Sequence, residues 1–212
     1  MPAQPSQKPP ETLRADAREN RERILAAARE AYALHGLDVP MAAIARRAKV
    51  GVATLYRRFP TRDALVTEAF SEQLAHCVAV LDEGLADPDP WRGFRSVVEK
   101  VCMMQATERG FTQAFLSQFP DHADYAEEQS RAERGLSLLI ERAKDCGQLR
   151  RDFEVHDITL LMLANSGATA GAGADAPAAS RRLVAYLLQS FRAGSTAPLP
   201  PPVPLELRRI HT

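Results

Sequence analysis

Apolar residues recur at helical spacing in segment after segment of this chain. Met41, Ile44, Ala45 and Ala48 fall at i, i+3, i+4 and i+7 and so share one face of a short helix. That pattern breaks at Lys49-Val50-Gly51, and a second short helix is expected over 52–58, ending before Pro60. Val52, Leu55 and Phe59 can turn inward, while Thr54, Tyr56, Arg57 and Arg58 make a polar side. Before this pair, Ile24, Ala28, Ala31 and His35 repeat at i, i+4, i+7 and i+11, which predicts a helix over 15–35 closed by Gly36. After it, Thr61 is positioned to cap a helix, with Asp63 in the first turn. Leu65, Ala69, Phe70, Leu74, Cys77, Val78 and Leu81 keep that helix in phase to about Leu85. Such a helix is about 36 Å long.

Asp87-Pro88-Asp89-Pro90 breaks the chain again. A helix over 91–107 follows, then Gly110, a short aromatic helix over 111–119 and Pro120. The next helix, over 123–146, is charged in its first half and apolar in its second, and Gly147 ends it. Two last helices are expected over 158–169 and 180–192, joined by a loop of small residues. Residues 1–13 are rich in Pro and Gln and read as a disordered tail; 195–212 is a Pro-rich tail, extended or disordered. The fold class is therefore all-α, with a head over 14–60 and a body over 61–194 that begins with a connecting helix over 61–85.

Charge sharpens this division. The 212 residues carry no formal net charge, yet residues 1–60 hold eleven Lys/Arg and six Asp/Glu, a net of +5. A basic head on an acidic body fits a DNA reader with a separate regulatory domain. The second short helix has the chemistry for the major groove, because hydroxyls and guanidinium groups reach phosphates and base edges there.

The run IARRAKVGVATLYRRFPTRDAL resembles the helix-turn-helix signature of the TetR family of transcriptional regulators, densely from about Arg18 to Phe70. Beyond Phe70 only the helical layout is similar. Two residues depart from the family's usual pattern. Pro40 stands where Ser or Thr is common and offers no capping hydroxyl, and Lys49 stands where Gly is common. Thr54, Arg57 and the backbone of Gly51 are the candidates for close approach to bases. Tyr56, Arg58, Lys49 and Arg62 are the phosphate candidates, Arg62 because the family commonly places a Lys there. The resemblance also implies phosphate contacts near Arg14, Arg18 and Arg21.

The same resemblance implies a homodimer on a palindromic operator in double-stranded DNA, released by a small apolar or amphipathic effector. Its interface would use the last two helices, with Leu161, Leu183, Val184, Leu187, Leu188 and Phe191. Trp91, Phe94, Val98, Val101, Met104, Phe111, Phe115 and Phe119 concentrate aromatic and sulfur side chains and are the candidate effector pocket. For each residue taken singly, a role as core filling is the stronger reading. The alternative function is a small-molecule sensor or carrier that acts through protein contacts without specific DNA binding.

Other chemistry finds little support. The five histidines are scattered, and no HExxH, CxxC or GxSxG occurs, so neither a metal site, a cofactor nor an enzyme is expected. The glycines of GATAGAGAD match neither a dinucleotide fingerprint nor a P-loop. Three widely spaced cysteines argue against a disulfide framework. With no long apolar run and no secretory leader, the expectation is a cytoplasmic protein without a membrane partner.

Overall fold

The computed structural model describes residues 10–108, 123–194, 197–203 and 205. Among them are nine α-helices and one short 3-10 helix. The chain forms two compact units, Met1–Ala69 and Phe70–Thr212.

The first unit contains α1 (Pro10–His35), α2 (Met41–Arg47), α3 (Val52–Arg58) and α4 (Arg62–Ala69). α1 begins earlier than its apolar face suggests, at Pro10, because Pro suits the first helical turn. Its buried face is Ile24, Ala27, Ala28, Ala31 and Tyr32. Tyr32, not His35, completes that face; His35 is exposed. Opposite stand Met41, Ile44 and Ala45 of α2, Leu55 and Phe59 around α3, and Leu65, Val66 and Ala69 of α4, all buried. Thr61 Oγ1 accepts from the Ala64 amide at 3.0 Å and so caps α4.

The single helix expected over 61–85 is two helices. α4 ends at Ala69, Phe70 takes φ −116° and ψ 11°, and α5 (Ser71–Ala86) starts afresh. The apolar spacing runs unbroken across this point, since Ala69 and Phe70 are both buried. No Gly or Pro marks the break.

The second unit contains α5, α6 (Pro90–Thr107), α7 (Ala123–Asp145), α8 (Val155–Ala170) and α9 (Ala176–Ser190). Asp87-Pro88-Asp89-Pro90 acts as a built corner. The Asp87 carboxylate binds the Arg92 guanidinium through both oxygens, at 2.6 and 2.9 Å, and accepts the Asp89 amide at 2.8 Å. Asp89 then caps α6 by accepting from the Arg92 amide at 3.1 Å. Past the corner, α5 and α6 touch backbone to backbone at Gly84 and Gly93. A Cβ on Gly93 would overlap the Gly84 carbonyl oxygen, and one on Gly84 would overlap Val97.

An aromatic ladder fills the core behind this contact. Trp91 meets Phe94 with ring centroids 5.7 Å apart, Phe94 meets Phe153 at 5.5 Å and Phe153 meets Phe191 at 4.9 Å. Arg192 lies 4.6 Å over the Trp91 ring. The C-terminal segment is tied to this end. Arg150, paired with Asp152 at 2.5 Å, donates to the Ala197 carbonyl at 2.9 Å, and Asp152 accepts the Leu199 amide at 2.9 Å. Those two partners hold the Asp152 carboxyl far below the usual carboxylate range. The described part of the Pro-rich tail is thus extended and anchored.

Three helices end in a left-handed residue. Gly36 follows α1 at φ 78° and Gly147 follows α7 at φ 73°. The third is Lys49 after α2, at φ 55°, the one non-glycine residue at positive φ among those described. The bonding at Lys49 and Gly147 is the same. Lys49 N–H donates to the Arg46 carbonyl and Val50 N–H to that of Ala45; Gly147 donates to Lys144 and Gln148 to Ala143. Both are Schellman turns, one with the residue that suits the position and one without it.

Two variants test these contacts by urea denaturation. Ala normally exceeds Gly in a helix by about 1 kcal/mol. Gly93→Ala is instead expected to lose about 1–3 kcal/mol through overpacking. A gain would show that α5 and α6 have slack at this crossing. Lys49→Gly is expected to raise stability by about 0.5–1 kcal/mol, the left-handed cost removed less the extra entropy of Gly. A loss would mean that the Lys side chain stabilises the turn through its own contacts.

Candidate nucleic-acid interface

α3 is seven residues long and is oriented entirely by its neighbours. Leu55 and Phe59 are fully buried and pin it to the head. At about 100° per residue, these two define an inward direction. Arg57 then points directly outward, with Ala53 and Thr54 on either side of it. Tyr56 and Arg58 lie on opposite flanks. Ala53, Tyr56, Arg57 and Arg58 are exposed and Thr54 is half-buried. An outward centre of Arg, Ala and Thr faces base edges when the helix enters a groove, and the flanking phenol and guanidinium face its two phosphate walls.

The turn before α3 adds to this surface. Lys49 and Gly51 are exposed. Gly51 is extended, at φ −66° and ψ 141°, and a Cβ there would meet only Thr54 Oγ1 at 3.7 Å. Its bare backbone is therefore not needed for the fold, and it leaves room for a close partner. Arg57 rests against Thr54 Oγ1 at 3.4 Å, a long contact. Arg62 pairs with Asp38 at 3.1 Å, but Asp38 is 99% exposed. An ion pair that open is worth about 0–1 kcal/mol and yields readily to a phosphate. Arg62 also faces the buried Tyr32 phenol. Burial above all pushes that phenol up to about 12; Arg62 opposes the shift and Asp63 adds to it.

The structure thus brings Lys49, Gly51, Thr54, Tyr56, Arg57 and Arg58 into one turn and one helix, and sets Arg62 at the start of the next. Val52 differs from its expected inward position: it is 43% exposed, because the first turn of α3 projects past the head's core. Ala53 was not among the sequence candidates, although the helical period alone directs it outward. Arg18 pairs with Glu22 at 2.9 Å and Arg21 pairs with Glu68, so both are engaged within the head. The side chain of Arg14 lies outside the described residues.

In the second unit, the pocket candidates separate. Trp91, Phe94 and Val98 belong to the buried core cluster, with Val101 packed against it; Trp91 and Phe94 stand in the aromatic ladder. Met104 is buried near the far end of α6. Phe111, Phe115 and Phe119 lie outside the described residues.

The candidate interface residues turn mostly inward. Leu161, Val184 and Leu188 are part of the unit's own core, and Leu187 and Phe191 pack against it; Leu183 is half-buried. Hydrophobic spacing finds the most apolar face of a helix, and here that face serves the core of the single chain. The large apolar side chains that α8 and α9 leave uncovered are Leu160 and Tyr186, each 55% exposed.

Comparison with known proteins agrees with this geometry. The family model described as bacterial regulatory proteins, tetR family, matches residues 24–69. The model described as transcriptional regulator SbtR-like, C-terminal domain, matches residues 89–193. No curated protein matches the chain. Among solved structures, the TetR transcriptional regulator SCO0520 from Streptomyces coelicolor is 26% identical, with a TM-score of 0.52 over 82% of this chain and 99% of that one. A gamma-butyrolactone receptor, described as ArpA-like, is 15% identical, with a TM-score of 0.58 over 85% of this chain and 92% of that one. FadR from Bacillus subtilis, solved with stearoyl-CoA, is 17% identical, with a TM-score of 0.55 over 79% of this chain and 97% of that one. The last two likenesses show the fold alone. A helix-turn-helix head of the matching sequence and a matching helical body make this chain a member of the TetR family of transcriptional regulators.

Proposed function

We propose that the protein is a cytoplasmic, ligand-responsive repressor that binds a palindromic DNA operator as a homodimer and is released by a small apolar or amphipathic effector. The observation that carries this reading is the outward face of α3, where Ala53, Thr54 and Arg57 sit between Tyr56 and Arg58. Arg57 and Thr54 read base edges, and Ala53 suits a thymine methyl. Lys49, Tyr56, Arg58 and Arg62 hold phosphates. Lys49 accepts a left-handed backbone at a position where Gly would be relaxed, which places an exposed amine at the entry to the recognition helix. Two copies of this face reach successive major grooves about 34–36 Å apart. Leu160 and Tyr186, uncovered in the single chain, support a two-fold contact through α8 and α9. The stearoyl-CoA bound by one neighbour, with its long acyl chain, supports an effector with an apolar part.

The test is fluorescence anisotropy on DNA from upstream of the gene, with unrelated DNA as competitor. Selective binding that weakens by roughly a thousandfold or more between 50 and 200 mM salt is expected for several phosphate contacts. Tyr56→Ala and Arg62→Ala should weaken binding about equally on all sequences, whereas Thr54→Ala should also change sequence preference. If all three leave affinity within twofold, α3 is not the reading helix. For assembly, Leu160→Glu combined with Tyr186→Glu should turn a dimer into a monomer in sedimentation velocity. An unchanged dimer would move the contact to another face.

A further inference from the structure

Near the C-terminal end of α6 the second unit holds a polar cluster that its apolar core does not explain. Asn165 of α8 is fully buried, and Gln105 of α6 is 3% exposed. Asn165 Nδ2 donates to the Cys102 carbonyl at 3.0 Å and to Gln105 Oε1 at 3.0 Å. Ser180 of α9, also buried, donates to the same Cys102 carbonyl at 3.2 Å. These bonds fix both amides. Turning Asn165 over would aim its oxygen at the Cys102 carbonyl, and turning Gln105 over would set its NH2 against that of Asn165. Two atoms are therefore left with no hydrogen-bond partner among the described residues: Gln105 Nε2, a donor, and Asn165 Oδ1, an acceptor.

An unpaired buried amide atom costs about 1–3 kcal/mol. Here one donor and one acceptor are left over on two amides bonded to each other. Apolar residues of the same shape would fill this space without that cost. Glu108, the residue that follows the last turn of α6, also buries Oε2 without a partner. The Cys102 thiol belongs to the apolar core, where burial pushes its pKa up to about 12.

We infer that Gln105 and Asn165 form the polar end of the effector site and bind an uncharged group offering both an acceptor and a donor, such as a primary carboxamide or a hydroxyl. This inference rests on the proposed role of the body in binding an effector. Gln105 Nε2 donates to the ligand's oxygen, and Asn165 Oδ1 accepts from its N–H or O–H. A carboxylate is rejected by the Asn165 oxygen, because it has no proton to donate to that acceptor. The apolar remainder of the ligand lies among the surrounding side chains of the body. The specificity is of the kind that buried polar sites achieve, because a ligand lacking the group leaves both amide atoms unpaired.

The test uses three probes of equal chain length: octanamide, octanoate and octylammonium. Each is titrated by calorimetry into the full-length protein, its Gln105→Met variant and its Asn165→Leu variant, with thermal melting to confirm folding. Octanamide is expected to bind at least tenfold more tightly than either ion. Gln105→Met, which keeps the Asn165 bond to Cys102, should shrink that preference to threefold or less, as should Asn165→Leu if it folds. Four outcomes overturn the inference. They are tighter octanoate binding, tighter octylammonium binding, a preference that survives Gln105→Met, and no binding of any probe, as expected if the pair only holds a water molecule. DNA binding is not involved, so failure of the operator assay leaves this result standing, and failure here leaves the operator assay standing.

Discussion

The Schellman turn at Lys49 is the constraint on which the head's function depends. α2 and α3 are seven residues each, too short to be stable alone, and neither has a side-chain cap at its start. Their mutual angle is set by the bonds from Lys49 to Arg46 and from Val50 to Ala45, and by the burial of Leu55 and Phe59. That turn fixes which side of α3 is buried. The exposed side follows from the helical period, and with it the order Tyr56, Ala53, Arg57, Thr54, Arg58 around the helix. Gly147 closes α7 with the same bonds and no steric cost. A lysine in the equivalent place trades some stability for a cation beside the face we propose to read DNA.

The body is organised by a different constraint. Gly84 and Gly93 let α5 and α6 approach until their backbones touch, and the Asp87–Arg92 corner sets the direction of α6. This brings Trp91 and Phe94 into the aromatic ladder at one end of the unit. The other end of α6 carries Cys102 and Gln105 to Asn165 and Ser180. One helix thus runs from a filled apolar core to a polar cluster with unspent hydrogen bonds. The filled end holds the body together, and the polar end is the part suited to recognition.

Much of this was legible in the residues. Helical periodicity located α2, α3, α6 and the start of α7, and the IARRAKVGVATLYRRFPTRDAL run was dense enough to carry the family. Three features were not legible, each for a physical reason. The break at Phe70 has no Gly or Pro, and the buried apolar spacing continues through it. The inward burial of Leu161, Val184 and Leu188 could not be told from an interface, because spacing reports an apolar face and not what covers it. The Gln105–Asn165 pair is sixty residues apart in sequence, and no local pattern links two amides on separate helices.

The central claim is that the outward face of α3 reads DNA sequence. Selection of duplexes from a random pool, run in parallel with the native protein and with Arg57→Ala, measures this most directly. The native protein is expected to enrich a two-fold symmetric sequence. Arg57→Ala is expected to relax the preference at one base-pair position, repeated symmetrically in each half-site, while leaving the spacing of the half-sites unchanged. Enrichment of the same sequences by both proteins, or of none by the native protein, would contradict it.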